Sequence, residues 1–262
     1  MSSDVQNSEP EELYRKFHRN ARPMGYIPSK SDYTYGFTVE MLESAIGRAA
    51  IPVRSVLDLG CGTGPLSFCL AQRCDHVLGV DISAQAIDSC EQGARALGID
   101  NVEFRVGRLE DIEDGLRFDM IVCSEVLEHL PDDSAALRHL FKMLLPGGVL
   151  VLSTPSINAP IHRLRMHIVG KDVFDERVGH LRRYTRSSIV RVLHSAHFEV
   201  VDLRLWEGIV RNFLFVTRLG VFIGAIVRRL HMTTLISISD SSIVEAFGES
   251  DIFVIATRGK QS

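Results

Sequence analysis

The stretch Val56-Leu57-Asp58-Leu59-Gly60-Cys61-Gly62-Thr63-Gly64 constrains this chain more than any other. An apolar run that meets alternating glycines must turn tightly, because Gly60, Gly62 and Gly64 tolerate positive φ and let another group approach the backbone. A helical pattern follows at once, so the turn aims the first N–H groups of a helix at whatever lies above it. A strand, a glycine turn and a helix in that order open a βαβ unit with a parallel sheet. Asp81 ends the next apolar run, 21 residues after Gly60. At that spacing a carboxylate accepts hydrogen bonds from both ribose hydroxyls of an adenosine.

Two features bear on which adenosine ligand fits. A dinucleotide fingerprint requires G-x-G-x-x-G, whereas here the third glycine comes one residue early and Pro65 takes its place. Asp58, inside the turn, would repel a pyrophosphate and suits a cationic amino group.

Beyond the turn, short apolar runs alternate with helical patterns, predicting a doubly wound α/β sheet. The predicted strands are Ser55–Leu59, His76–Val80, Val102–Val106, Met120–Cys123, Val149–Ser153, Glu199–Leu205 and Ile252–Ala256. Helices are predicted at Val39–Ala50, Gly64–Gln72, Ala84–Leu97, Asp133–Leu144 and Arg186–Ala196, with a short one near Glu11–Arg19. This divides the chain into an N-terminal helical extension (1–50) and a main α/β domain (51–262) with cap insertions at about 155–185 and 206–250.

Asp58-Leu59-Gly60-Cys61-Gly62-Thr63-Gly64 resembles the first signature motif of the class I S-adenosylmethionine-dependent methyltransferases, and Asp81 matches their ribose-binding acid. Phe118–Cys123 resembles their fourth-strand motif, and Leu145–Leu150 the turn before their fifth strand. The resemblance spans Val53 to Thr154 and, more loosely, Ile252–Ala256. It implies a Rossmann-like, seven-stranded, mostly parallel sheet with a reversed last strand. It implies S-adenosylmethionine as cofactor, bordered by Asp58, Gly60, Cys61, Gly62, Asp81, Ile82, Arg108, Leu109 and Ser124. One departure stands out: where the family usually has Gly-Asp-Ala, this chain reads Gly107-Arg108-Leu109-Glu110-Asp111. Arginine accepts no hydrogen bond. Either Arg108 stacks on the adenine, or Glu110 or Asp111 takes the acceptor role, or Arg108 is a solvated surface side chain.

Directly after the fourth strand comes Ser124-Glu125-Val126-Leu127-Glu128-His129. On a helix, Glu125, Glu128 and His129 share one face. The block resembles the E-x-x-E-H segment of ubiquinone-pathway O-methyltransferases and of plant-type small-RNA 2′-O-methyltransferases. In the latter a later histidine completes a metal site, and His180 stands at the matching place. The resemblance implies a divalent ion (magnesium, manganese or zinc) on Glu125, Glu128, His129 and His180, with Glu125, His129 and His180 acting on the acceptor. A metal would lower the pKa of a hydroxyl acceptor. Alternatively His129 alone is a general base, or the block is a pocket wall. The other histidines, His162 and His167 among them, are assigned nothing.

Phe213–Val227 is apolar but is interrupted by Arg218 and spans only 15 residues, short of the roughly 20 that cross a bilayer. It reads as a helix packed on the core or at a homodimer face, a lid over a lipid-like or polyketide substrate, or a membrane-surface helix. The net charge of −4, with no basic arm or aromatic stripe, argues against nucleic acid. Five cysteines with no C-x-x-C pair and a polar, acidic start predict a cytoplasmic protein. The expected reaction is methylation of a small-molecule hydroxyl of secondary-metabolite, sugar or quinone type. The rivals are metal-independent N-, C- or carboxyl-methylation and a catalytically silent cofactor-binding partner. The silent partner would not need the Glu-Glu-His block.

Overall fold

The computed structural model describes residues 25–32, 34–206 and 248–259, with a few isolated positions between 208 and 244. The strands are β1 (Ser55–Leu59), β2 (His76–Asp81), β3 (Val102–Val106), β4 (Phe118–Ser124), β5 (Leu144–Pro155), β6 (Glu199–Trp206) and β7 (Asp251–Thr257). They form one sheet in the order β3-β2-β1-β4-β5-β7-β6. β1 to β5 pair in parallel, while β7 runs antiparallel to both β5 and β6. The expected seven-stranded, mostly parallel sheet with a reversed last strand is the one observed.

The helices are α1 (Gly36–Arg48), α2 (Pro65–Ala71), α3 (Ala84–Leu97), α4 (Asp133–Met143), α5 (Pro160–Val169), α6 (Val173–Val178) and α7 (Arg186–Ser195). They cover both faces, which is why β1 and β4 read as almost unbroken apolar runs. Leu57, Ile121 and Leu150 point to one face, where Leu137 and Leu140 of α4 and Ile189 and Leu193 of α7 cover them. Val56, Met120 and Val149 point to the other, with Met41 and Leu42 of α1 and Leu66 and Leu70 of α2. Over residues 36–48 the expected N-terminal extension is therefore part of the sheet's own core.

Boundaries shift for local reasons. α1 starts three residues before its predicted Val39 because Asp32 Oδ1 accepts from Thr34 N and Tyr35 N, and Asp32 O from Gly36 N, winding the first turn early. β5 begins at Leu144 rather than Val149: the pairing with β4 jumps from Phe118↔Leu144 to Met120↔Val149, so Leu145–Gly148 is a bulge inside the strand. Gly148 lies so close to Asp119 O that a Cβ there would stand 2.7 Å away. The insertion after β5 holds α5 and α6. The predicted helix near Glu11–Arg19 and the apolar run Phe213–Val227, with its lid, membrane and dimer readings, lie outside the described residues, isolated positions apart. Among the described residues no helix is long and apolar enough to cross a membrane.

Candidate active site

Strand order reverses between β1 and β4, and in open α/β sheets ligands bind beyond the carboxyl ends of the strands at such a point. The Gly60–Gly64 turn leaves β1 there, and Ser124–His129 leaves β4 beside it. Gly60, Gly62 and Gly64 have φ of +72°, +55° and +85°. A Cβ on Gly60 would meet Val126 Cγ2 at 2.3 Å, so the two turns are packed together and no side chain fits at 60. Asp81 is held from behind: its Oδ2 accepts from Gly62 N at 2.9 Å and its Oδ1 from Ser83 N at 2.8 Å. Each carboxylate oxygen retains a second lone pair, the capacity a ribose diol needs.

Asp58 is 2% exposed and accepts a 2.5 Å hydrogen bond from Ser67 Oγ on α2. Burial raises its pKa to about 6, against the Ser67 bond that lowers it. It lies beneath the turn, so its influence on an ammonium group above is through its field. Cys61 packs against Ile87 and Cys90, and Leu109 sits in the main core at 3% exposure. Ile82, Gly107, Arg108 and Asp111 line a recess of about 120 Å³ beyond β2 and β3. Asp111 Oδ2 there accepts from Arg108 N at 2.8 Å, capping the short turn Leu109–Asp111.

The block after β4 departs from the expected helix. Glu125 takes a left-handed φ of +56°, rare for a residue with a side chain, and Leu127–His129 is one 3₁₀ turn. Glu125 therefore does not share a helical face with Glu128 and His129. Its side chain is open to the cleft yet crowded by protein, and Oε1 accepts from Ser153 Oγ at 2.7 Å. Desolvation raises its pKa, opposed by Ser153, His180 and Arg183. Ser124 Oγ meets Ser153 Oγ at 2.9 Å, facing β5.

Glu128, His129 and His180 do converge, their nearest ligand-type atoms all within 4.8 Å of one another, a set that Glu125 does not join. Glu128 is completely buried. Its Oε2 accepts from Thr154 Oγ1 at 3.3 Å, while Oε1 has no hydrogen-bond donor. That orphan oxygen lies 3.7 Å from His129 Nε2 and 3.9 Å from His180 Nε2. Burial, then the charge of Glu125, push the Glu128 pKa well above 4.5. His129 Nδ1 is 3.0 Å from Gly179 O and His180 Nδ1 2.9 Å from Asp175 Oδ1. A carbonyl and a carboxylate only accept, so each ring donates from Nδ1, and the Nε2 atom of each stands toward Glu128 Oε1. Burial, with a smaller push from His180, lowers the His129 pKa to about 4.

The donor set fits a divalent ion. Ligand bonds of about 2.0–2.2 Å place neighbouring donors about 3–4 Å apart, and the two spacings to the orphan oxygen fall in that range. Residues with no sequence signal complete the arrangement. Asp175 supports His180, Gly179 supplies the carbonyl for His129, and Thr154 holds the other oxygen of Glu128. Desolvation would raise the Asp175 carboxyl, but His180 and Arg183 hold it far below the usual range.

The glycine turn, the acid that ends β2 and the buried Glu128-His129-His180 cluster thus lie at one edge of the sheet. A family model described as a methyltransferase domain matches residues 53–182. The ubiquinone biosynthesis O-methyltransferase of Paracidovorax citrulli is 29% identical over 217 residues, covering 79% of this chain and 89% of that protein. The protein of the same name from Leptothrix cholodnii is 31% identical over 173 residues, covering 64% of this chain and 72% of its own. Among solved structures, the N-methyltransferase NodS from Bradyrhizobium japonicum WM9 in complex with S-adenosyl-L-homocysteine shares the fold, with a TM-score of 0.60 at 17% identity over 95% of this chain and 97% of that one. The chain belongs to the class I S-adenosylmethionine-dependent methyltransferases: it is an enzyme whose methyl donor is S-adenosylmethionine.

Proposed function

We propose that this methyltransferase acts on a hydroxyl oxygen of a small quinone-type molecule, with the acceptor beside Glu128, His129 and His180 and a divalent ion held by those three residues. The observation that carries the reading is the orphan Oε1 of Glu128, buried and facing two imidazole nitrogens. A buried acceptor left without a partner costs about 1–3 kcal/mol, more when charged, and its retention beside two lone pairs points to a cation. The names of the relatives support an oxygen acceptor of quinone type.

Methyl transfer is an in-line displacement: an acceptor lone pair forms a bond to the methyl carbon while the carbon–sulfur bond breaks and its electrons return to sulfur. Asp81 and the Gly60–Gly64 backbone hold the adenosine and amino-acid ends of the donor. Ile82, Gly107 and Arg108 enclose the adenine side, and Asp58 contributes negative field from below. A divalent ion, held by Glu128, His129 and His180, would lower the pKa of the acceptor hydroxyl. Glu125, open to the cleft and raised in proton affinity, receives the hydroxyl proton. His180 follows α6 in the insertion after β5, and its ring stands beside that of His129. The five cysteines, all free, accord with catalysis in the reducing cytoplasm.

The test is turnover of a catechol or hydroxyquinone acceptor after exhaustive chelation, followed by magnesium, manganese or zinc in turn. Activity should fall on chelation and return with one of them. A second reading draws on the position of His129, whose ring stands beside Glu128 and His180 and is neutral at pH 7, so that it takes the proton directly, although its pKa of about 4 makes it a weak base. Full activity in the chelated enzyme, together with loss of turnover in His129→Ala, would establish that reading instead.

A further inference from the structure

A second group of metal-type side chains lies in the cap: His162, Asp172 and Asp175, with one atom of each within 4.8 Å of the others. Its hydrogen bonds give it a different character from the Glu128 cluster. Asp172 Oδ1 accepts from Arg165 Nη1 at 3.0 Å and Phe174 N at 2.9 Å, and its Oδ2 lies 2.9 Å from His162 Nδ1. Asp175 Oδ1 accepts from His180 Nδ1 at 2.9 Å and Arg183 Nη2 at 2.6 Å. Its Oδ2 accepts from Arg183 Nε at 2.8 Å, with His162 Nδ1 3.4 Å away. All four carboxylate oxygens have partners, and two guanidinium groups balance two carboxylates. No cation is called for here.

The bond between Asp175 Oδ1 and His180 Nδ1 links the network to the Glu128 cluster. The chain places the two side by side: α6 ends at Gly179, in the left-handed region, and Gly179 N and His180 N both donate to Asp175 O, at 2.9 and 3.0 Å. Arg183 grips Asp175 with two separate nitrogens and donates through Nη1 to Ser156 O at 3.1 Å, anchoring the carboxylate to the segment that follows β5. The tautomer of an imidazole is set by the bond its other nitrogen makes, and carboxylates behind ligating histidines fix ring orientation and raise basicity.

We propose that Asp175 is a positioning residue for methyl transfer. Through His180 Nδ1 it holds the proton away from Nε2 and keeps the Nε2 lone pair turned toward Glu128 Oε1, with Arg183 holding Asp175 itself. The proposal rests on the acceptor-site reading above, and applies equally whether His180 ligates an ion or faces the acceptor directly.

The experiment compares wild type, Asp175→Ala and Asp175→Asn in two measurements. Two-bond ¹H–¹⁵N correlation spectra of the ion-free protein report the His180 tautomer, the signal being assigned by its loss in His180→Gln. Calorimetry with zinc and with S-adenosylmethionine reports the two affinities. Wild-type His180 is expected as the Nδ1–H tautomer, and Asp175→Ala as a mixture or the Nε2–H form. Zinc affinity should fall 10- to 100-fold in Asp175→Ala and less in Asp175→Asn, whose amide oxygen still accepts without charge, while S-adenosylmethionine affinity stays within twofold. An unchanged Nδ1–H tautomer in Asp175→Ala overturns the proposal whatever zinc does. If wild type binds no zinc, the metal reading falls and the tautomer alone decides the role of Asp175. If Asp175→Ala no longer binds S-adenosylmethionine, the fold is lost and Asp175→Leu, which fills the space without accepting, carries the tautomer test: an unchanged Nδ1–H form there overturns the proposal.

Discussion

Glu128→Gln should make the ion-free enzyme more stable while removing the function of the site. In the wild type a buried carboxylate has one oxygen without a donor, and burial and Glu125 raise its pKa. The substituted amide turns this around, because its N–H groups face the Nε2 lone pairs of His129 and His180, which lie 3.7 and 3.9 Å from the present oxygen. Relieving an unsatisfied buried acceptor is worth about 1–3 kcal/mol, and 1 kcal/mol moves Tm by about 2–4 °C in a chain of roughly this size. The chelated variant should therefore melt about 2–12 °C above the chelated wild type at pH 8. The pH dependence has a definite sign. The folded pKa of Glu128 lies above its unfolded value, so the wild type bears the cost of an ionised buried carboxylate above the folded pKa and sheds it as protonation sets in below. The gap between the two proteins should narrow as pH falls toward 4.5. Added zinc or manganese should reverse the order, stabilising wild type by about 2.7 kcal/mol at a hundred times Kd and the variant hardly at all. Thermal melts with and without chelator at pH 8 and 5 decide it. A chelated Glu128→Gln less stable than wild type at pH 8, or equally stabilised by added metal, refutes the reasoning.

Asp81→Ala should weaken S-adenosylmethionine at least tenfold, about 1.4 kcal/mol, as measured by calorimetry; unchanged affinity removes Asp81 from the site. The neutral state of His129 sets a second pH effect: its folded pKa of about 4 lies below the ordinary 6.5, so the unfolded chain protonates first. Stability of the chelated enzyme should decline by on the order of 1–3 kcal/mol as pH falls from about 6.5 to about 4, and His129→Gln should flatten that part of the curve. Parallel curves for the two proteins would show that His129 carries none of it.

The sheet was legible in the sequence where a strand is buried on both faces or a helix carries both its caps. α3 matches its predicted span residue for residue, because the Ser83 hydroxyl accepts from Ala86 N at one end and Gly98 takes a left-handed conformation at the other. β5 was foreshortened for the opposite reason. Pro146, Gly147 and Gly148 carry the local signature of a turn, yet the strand passes through them as a bulge. What holds it is distant in sequence: Gly147 N donates to Arg258 O at 2.7 Å, and Arg258 Nη1 donates to Leu144 O at 2.7 Å. No local rule reaches across that separation.

The site divides along the same line, between what the backbone does and what side chains do. Gly60, Gly62 and Gly64 were readable because only glycine accepts such conformations so closely packed, and the main chain itself forms the cradle. Side chains in the same motif were less readable: nothing local distinguishes Asp81, turned to the cleft edge by two backbone donors, from Asp58, turned down onto Ser67. The spacing of Glu125, Glu128 and His129 suggested a helix, whereas the chain must swing out of β4 at once, and the left-handed Glu125 takes that swing. Glu128 and His129 still reach the same space, since a 3₁₀ turn presents them together, while Glu125, exposed and bonded to Ser153, stands outside that set. His180 had only a resemblance to recommend it. Its place beside His129 depends on the path of α6, on Gly179 and on Asp175, each meaningful only once the insertion has folded back over the edge of the sheet. A donor cradle made of backbone can thus be read from glycines, while an acceptor site assembled across 50 residues of chain becomes visible only through the hydrogen bonds, such as His129 Nδ1 to Gly179 O, that close it.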